Sequence, residues 1–233
     1  MLEVKEISKN FGEFKAIDQL SFNVKIGDVM GFLGPNGAGK TTSMRVITGY
    51  LNSDHGSVKI NNKDINVDPI YTKSTIGYLP EGVPLYLDFS PNLYLDYVCQ
   101  VRDIKNSKNA IKKVISDLQL EDVKDVPIET LSKGFKRRVG IAQALIHNPK
   151  LLILDEPTDG LDPLQKFEVR KLIKKLSKTK AIIISTHILD EVPEVCNKCL
   201  IINNGQKIFE GTPNQLKKKI GKTLDEKFRK LVS

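Results

Sequence analysis

The sequence contains no tryptophan, only three cysteines in 233 residues, and no apolar run long enough to cross a bilayer. A membrane-spanning helix needs about 20 consecutive apolar residues, whereas the runs at 151–154 and 181–184 have the length of a buried strand. The first residues, MLEVKEISKN, carry charges early and lack the apolar segment of a signal peptide. We therefore expect a cytoplasmic location.

The three cysteines are Cys99, Cys196 and Cys199. A small, odd number of cysteines is typical of a reducing compartment rather than of a disulfide framework. Cys196 and Cys199 form a CxxC pair, which could indicate zinc or redox chemistry. Because zinc usually takes four ligands and the sequence has no second pair, we interpret these cysteines as structural.

The composition is that of a globular protein, with 40% hydrophobic and 27% charged residues. The length suits one large α/β domain, or two small subdomains that share one core. The formal charge is +8, and basic residues cluster at 133–138, 170–180 and 217–219. These clusters are either solvated helix faces or surfaces that attract nucleotide, anionic lipid or nucleic acid.

Strand and helix patterns alternate along the chain. We predict strands at 2–7, 20–26, 29–33, 57–60, 75–79, 150–154, 181–185, 200–202 and 207–209, and helical segments at 40–48, 90–120, 135–147, 163–176 and near 189–195. This order predicts an α/β fold with a mostly parallel sheet and helices on both faces. We expect an N-terminal antiparallel β part and a helical subdomain inserted at roughly 85–147, within a single domain spanning 1–233.

The strongest motif is GPNGAGKTT at 34–42, which fits the GxxxxGK[ST] phosphate loop and follows the apolar run VMGFL. Glycines let backbone N–H groups wrap phosphate oxygens, and the helix that begins near Lys40 adds its positive end. Lys40 should reach the β- and γ-phosphates, and the Thr41 hydroxyl should bind Mg²⁺. The alternative is a turn that binds nothing. The predicted contacts with the nucleotide are Gly34, Asn36, Gly37, Ala38, Gly39, Lys40, Thr41 and Thr42.

A pair of carboxylates follows the apolar run LLIL at 151–154. A buried strand holds such a group rigidly, so Asp155 is a candidate ligand of Mg²⁺, directly or through water. Glu156 is then the candidate general base that polarises the attacking water. Alone, an apolar strand that ends in acids is a weak signal, and the phosphate loop makes it a strong one.

Two further segments suggest contacts with phosphate. Ser132 is well placed to cap the helix of LSKGF at 131–135, and Gly134 leaves room beside it for an anion. Ordinary capping is the alternative. His187 follows the strand at 181–185, at the edge where ligands collect in α/β sheets, and we expect it to contact the γ-phosphate.

These elements, in this order, resemble the nucleotide-binding domain of ATP-binding cassette transporters over nearly the whole chain. The most specific part is LSKGF, which is similar to the family signature LSGGQ. The resemblance implies the P-loop NTPase fold, with ATP and Mg²⁺ as cofactors. It also implies that Phe11 stacks on adenine, that DGLD at 159–162 contacts a second subunit, and that His187 is the switch histidine. A core position is the alternative for Phe11.

The resemblance further implies a head-to-tail pair of cassettes, either a homodimer or a dimer with a related cassette. In such a pair Ser132 and Gly134 touch the γ-phosphate held by the partner. The chain departs from the family pattern at Lys133, Phe135 and Glu81, where glycine, glutamine and glutamine are usual. Ionised Glu81 can still accept a hydrogen bond from water on Mg²⁺, but it cannot donate as an amide can.

The IGYLPE and LSKGF forms resemble stand-alone cassettes of the drug, polysaccharide and lipid exporter branch. The resemblance therefore implies an ATPase on the inner face of the cell membrane, which drives a separate multi-span permease docked around 86–97. The runner-up is a soluble cassette ATPase acting on ribosomes or nucleic acid. Because the chain has one cassette and no long coiled coil, we expect no nucleic-acid partner. A sensor without turnover is disfavoured by Glu156 and His187.

Overall fold

Ten strands form two sheets within residues 1–220, the part of the chain that the computed structural model describes. In chain order the strands are β1 (Leu2–Phe11), β2 (Phe14–Val24), β3 (Val29–Leu33), β4 (His55–Ile60), β5 (Lys63–Asp64), β6 (Ile76–Leu79), β7 (Leu151–Asp155), β8 (Ala181–Thr186), β9 (Lys198–Asn203) and β10 (Gln206–Gly211).

The helices of the same part alternate with these strands. They are α1 (Lys40–Ile47), α2 (Pro69–Ser74), α3 (Pro91–Val101), α4 (Ser107–Asp117), α5 (Lys133–Leu145), α6 (Pro163–Ser177), α7 (Val192–Val195) and α8 (Pro213–Ile220), with 3₁₀ turns at Glu121–Val123, Ile128–Thr130 and Leu189–Glu191. No helix among residues 1–220 is both long and apolar enough to cross a bilayer.

The larger sheet has the strand order β10-β9-β3-β8-β7-β6 and is parallel except for β10 at one edge. The smaller sheet, β2-β1-β4-β5, is antiparallel. The predicted α/β class, with a mostly parallel sheet and an N-terminal antiparallel part, is confirmed.

Both faces of the larger sheet are covered. Val29 and Leu33 of β3 pack into a core with α3, α4, α5 and α6, while the alternate residues Met30 and Phe32 pack into a second core with β1, β2, β4 and α1. Side chains alternate between faces along a strand, so a strand buried on both sides needs apolar residues throughout. This explains the continuous run VMGFL.

The predicted helical stretch at 90–120 is two helices rather than one. α3 ends at Val101, and Asp103 then adopts a left-handed conformation with φ of 51°. The amide of Ile104 bonds back to the carbonyl of Cys99, which closes the last turn before α4 begins. The helices α3, α4 and α5 lie inside the predicted insertion at 85–147.

Other predicted boundaries shift in ways that local chemistry explains. The second strand begins at Phe14 rather than at residue 20, because Gly12, with φ of 60°, lets β1 turn directly into β2. The helix predicted near 189–195 is a 3₁₀ turn followed by the short α7. The single domain over 1–233 stays a prediction, since residues 221–233 lie outside the described part.

Four loops lie at the same edge of the larger sheet, because the strands that precede them are parallel. The phosphate loop follows β3, the segment with Glu81 follows β6, Glu156 follows β7, and His187 follows β8. Ligands bind at the carboxyl ends of strands in such sheets. The strand order thereby brings together segments that are far apart in the chain.

Candidate active site

A cavity of about 690 Å³ opens at this carboxyl edge, within the range of small-molecule sites. The segments that follow β3, β6, β7 and β8 form its wall together with β2. Ten predicted site residues line it: Asn36, Gly37, Gly39, Lys40, Thr41, Thr42, Glu81, Asp155, Glu156 and His187.

The phosphate loop has the backbone that its glycines predict. Gly37 and Gly39 adopt φ of 79° and 100°, which other residues rarely do. A Cβ on Gly39 would also overlap the carbonyl oxygen of Ala16. Gly39 precedes α1 and offers no side-chain cap, so the first amides of α1 are available to an anion.

Lys40 lies beneath the loop with only 9% of its surface exposed. Its ammonium donates to the carbonyl oxygens of Gly34 at 2.7 Å and Pro35 at 3.0 Å. Burial lowers the pKa of Lys40, and the neighbouring Glu156 and Asp155 partly oppose this. The loop therefore holds a cation where phosphate oxygens would arrive.

The geometry around Asp155 fits a hard cation. The Thr41 hydroxyl lies 3.4 Å from Asp155 Oδ2, and the Ser185 hydroxyl donates to Asp155 Oδ1. Within the described residues, no cluster of three His, Cys, Asp or Glu side chains could hold a metal. Magnesium suits such a sparse set, because it usually binds through one or two carboxylates and completes its shell with water and substrate phosphates.

Glu156 has a backbone conformation that few residues other than glycine adopt. Its φ is 51°, a strained conformation for glutamate that is typical of functional sites. The side chain is buried, and its Oε1 lies 2.9 Å from His187 Nδ1. Burial raises the pKa of Glu156, while the hydrogen bond from His187 lowers it, with a net increase. A carboxylate with a raised pKa is a better general base near neutral pH.

Replacing His187 by alanine is expected to move the acid limb of the ATPase pH profile to higher pH. The hydrogen bond from His187 lowers the pKa of Glu156, so its loss leaves burial less opposed. Only ionised Glu156 can accept a proton, so activity is lost as pH falls through its raised pKa. The measurement is turnover against pH for His187→Ala and wild type.

His55→Ala is the matched control, because His55 is exposed on β4, outside the cavity. Its acid limb should coincide with that of wild type. An unmoved acid limb in His187→Ala would show that His187 does not tune Glu156.

Arg137 joins two segments of the site, and it was not among the site residues predicted from the sequence. Only 5% of Arg137 is exposed. Its Nη1 donates to the carbonyl oxygens of Pro80 at 3.1 Å and Glu81 at 2.7 Å, and its Nη2 donates to those of Asp155 and Glu156. The signal lay in the helical spacing, since position 137 is one turn beyond Gly134 on the buried face of α5.

Arg137→Ala is expected to lower the free energy of unfolding by about 3 kcal/mol, because it removes four hydrogen bonds that a buried guanidinium donates to carbonyl oxygens. Urea denaturation measures this. The neighbouring Lys136 donates only to the carbonyl of Glu129, so Lys136→Ala should cost less than about 1 kcal/mol. Equal losses in the two variants would contradict the bridging role of Arg137.

Five predicted site residues lie outside the cavity wall: Phe11, Gly34, Ala38, Ser132 and Gly134. Phe11 is 51% exposed, and its partner across the β1–β2 turn, Phe14, lines the cavity instead. The sequence FGEF could have suggested Phe14, because a tight turn brings both rings to one end of the hairpin.

Ser132 and Gly134 do not line the cavity that contains this chain's own phosphate loop. Ser132 is exposed and accepts a hydrogen bond from the amide of Phe135 at 3.3 Å, as predicted for a helix cap. Lys133 pairs with Asp159 at 2.8 Å, and Asp159 also lines the cavity, which the sequence analysis did not predict.

The cysteine pair lies away from the cavity. Cys196 and Cys199 are buried free thiols, and burial raises their pKa to about 12 and about 11. Protonated thiols are poor nucleophiles and poor metal ligands, which agrees with a structural role.

Comparisons with known proteins give consistent results. A family model described as "ABC transporter" matches residues 17–159. The bacitracin transport ATP-binding protein BcrA of Bacillus licheniformis is 36% identical over 97% of this chain and 74% of its own length. The lipopolysaccharide export system ATP-binding protein LptB of Escherichia coli is 32% identical over 92% of each chain. A solved ATP-binding subunit of an ABC transporter superimposes with a TM-score of 0.90 at 27% identity, covering 99% of each chain.

Proposed function

The chain belongs to the ABC transporter family as an ATPase subunit, and we propose that it drives a separate multi-span membrane permease that exports its cargo. The observation that carries this proposal is the convergence of the phosphate loop, Asp155 and the Glu156–His187 pair in one cavity. The relatives named for bacitracin transport and lipopolysaccharide export support the direction of transport.

In the proposed complex, ATP places its triphosphate in the phosphate loop. Lys40 then exchanges the carbonyl oxygens of Gly34 and Pro35 for phosphate oxygens. Thr41 and Asp155 would hold Mg²⁺, with Glu81 accepting from its water. When bound, Mg²⁺ neutralises charge on the phosphates. An aromatic ring of the β1–β2 hairpin, Phe11 or Phe14, supports the adenine.

Hydrolysis uses groups that the chain itself positions. Glu156 accepts a proton from the attacking water, and His187 holds the carboxylate in place. Lys40 and the amides that open α1 stabilise charge on the γ-phosphate. The bridge from Arg137 keeps the segments of Glu81 and Glu156 in register.

A second copy, or a related cassette, completes the site. Ser132 and Gly134 lie outside the cavity of their own chain, and in the proposed pair they contact a γ-phosphate that the other chain holds. ATP then bridges only the closed pair, and its binding shifts the population toward closure. That closure is the step that moves the permease.

An exposed apolar surface supports the docking of the permease, which would hold the subunit at the inner face of the membrane. This docking surface consists of Tyr86, Leu87, Leu93, Tyr97 and Val101, each at least 40% exposed. Tyr86 stacks on Phe89 and packs edge-on against Tyr97, so these rings form one contiguous aromatic cluster. Clustered exposed apolar groups mark interaction sites.

The test uses tagged Glu156→Gln protein in its native cell, where the ATP-bound closed form should accumulate. Membranes are separated from cytosol, and co-purifying chains are identified. We expect a multi-span membrane protein in comparable amount. Ribosomal proteins or nucleic acid in the soluble fraction, without a membrane partner, would favour the runner-up and overturn the proposal.

A second substitution, Leu93→Asp, in the tagged Glu156→Gln protein should abolish that co-purification, because it would bury a charge where the permease docks. Ile70→Asp is the matched control: Ile70 is 86% exposed and, like Leu93, lies in the first turn of a helix that begins with proline. Loss of the partner in both variants would contradict the assigned docking surface.

A further inference from the structure

A second cavity, of about 570 Å³, opens at the opposite edge of the larger sheet. Its lining includes Ser74, Asn148 and Lys180, which precede β6, β7 and β8. The remaining wall comes from the α3–α4 connection, α4, the end of α5 and Leu176 of α6. Because β7 has five residues and a strand rises about 3.3 Å per residue, this cavity is separate from the nucleotide site.

The charged groups in the wall are almost all basic. Arg102, Lys113 and Lys180 line the cavity with His147, and the acidic residue among them is Asp117. Asp117 already pairs with Lys175 at 3.1 Å. We call this site the basic cavity.

Two of the cations have no carboxylate partner in the described part of the chain, although one is buried and the other is half-buried. Lys180 is 5% exposed and donates to Asn148 Oδ1 and to the carbonyl of Pro149, both at 2.6 Å. Arg102 is half-buried, and burial alone lowers its pKa, with no neighbouring acid opposing the effect. Buried charges in proteins are ordinarily paired, so two cations without a carboxylate partner favour the binding of an anion in the basic cavity.

His147 adds an unused acceptor. Its Nε2 lies 2.8 Å from the carbonyl oxygen of Ile76, while its buried Nδ1 has no partner. Burial, together with Arg102, lowers the pKa of His147 to about 4. The ring is therefore neutral near pH 7, with the proton on Nε2 and a free lone pair on Nδ1. That lone pair can accept a hydrogen bond from the P–OH group of a hydrogen phosphate.

The first turn of α4 supplies further donors. Asn106 precedes this turn, its side chain forms no capping hydrogen bond, and the turn contains no acidic residue. Asn106 and Asn109 both line the cavity. The free amides of a helix start favour an anion, and here they add to the buried cations.

We propose that the basic cavity binds a small phosphate-bearing anion, either free or as the headgroup of a lipid, independently of the nucleotide site. The cations and amides hold the phosphate oxygens, and His147 Nδ1 accepts a hydrogen bond from the remaining P–OH group. The lining has no Phe, Tyr or Trp ring on which a base could stack, which favours a phosphate group over a nucleotide.

The test titrates inorganic pyrophosphate into the full-length protein saturated with ADP, followed by backbone amide NMR. Saturable shifts of the amide signals are expected for residues 106–113. They should occur independently of any shift in the phosphate loop at 34–42. Absence of saturable shifts in 106–113 would overturn the proposal.

Substitutions in the wall test whether pyrophosphate binds in the basic cavity, and competition with vesicles tests whether the natural ligand is a lipid headgroup or a free anion. Arg102→Gln should weaken binding about tenfold, as expected for one lost charge-assisted hydrogen bond, and Lys113→Gln should weaken it measurably. Lys112→Gln is the matched control, because the adjacent Lys112 lines a different cavity. Equal binding by wild type, Arg102→Gln and Lys113→Gln would also overturn the proposal.

Displacement of pyrophosphate by phosphatidic acid vesicles would assign a lipid headgroup, and displacement only by a soluble phosphate monoester would assign a free ligand.

Discussion

Glu156→Gln is expected to lower the rate of ATP hydrolysis by about 10²–10⁴-fold, the usual contribution of a general base, while ATP affinity is unchanged. The amide has nearly the same shape as the carboxylate but cannot take the proton from water. Steady-state turnover and equilibrium ATP binding measure the two effects. Light scattering in ATP should also show the variant accumulating as a pair of subunits.

Glu81→Gln is the matched control, since it makes the same chemical change in the same cavity. The resemblance implies that an amide suits this position, and an amide oxygen can still face Mg²⁺ or its water. Turnover should therefore stay within about tenfold of wild type. Unchanged turnover in Glu156→Gln would reject Glu156 as the base.

Lys40→Ala is expected to weaken ATP binding by roughly a hundredfold, because it removes charge-assisted contacts with phosphate worth about 3 kcal/mol. Lys40 is the cation buried under the phosphate loop, so no exposed lysine can replace it. Calorimetric titration with ATP and Mg²⁺ measures the loss.

Arg45→Ala is the control, because Arg45 is an exposed cation on the last turn of α1. Its ATP affinity should match wild type. Normal affinity in Lys40→Ala would contradict the phosphate-loop assignment. The two large effects are separable, since one variant loses binding and the other loses the chemical step.

Much of the site was predictable because its motifs consist of residues that are adjacent in the chain. The phosphate loop needs glycine at positions with positive φ, and GPNGAGKTT places glycine at 37 and 39, where φ is 79° and 100°. Asp155 and Glu156 follow an apolar strand, and that strand carries them to the edge of the sheet. In both cases the neighbours along the chain determine the backbone that presents the group.

The placement of Phe14 marks an intermediate case. FGEF shows two aromatic residues on either side of a turn, and resemblance favoured Phe11 for the adenine. Which ring lines the cavity depends on how the β1–β2 hairpin lies against the larger sheet, and that is a matter of tertiary packing.

The α/β class, the phosphate loop, the acidic pair and the cap at Ser132 could be predicted from the sequence, because each depends on local backbone preference and hydrophobic periodicity. Two features could not be predicted in this way: Arg137 bridges the segments of Glu81 and Glu156, and Arg102 and Lys180 share a cavity. These groups lie far apart in the chain and meet through the strand order β10-β9-β3-β8-β7-β6. That order is set by the packing of whole elements, since each buries its apolar face against partners that its own residues do not specify.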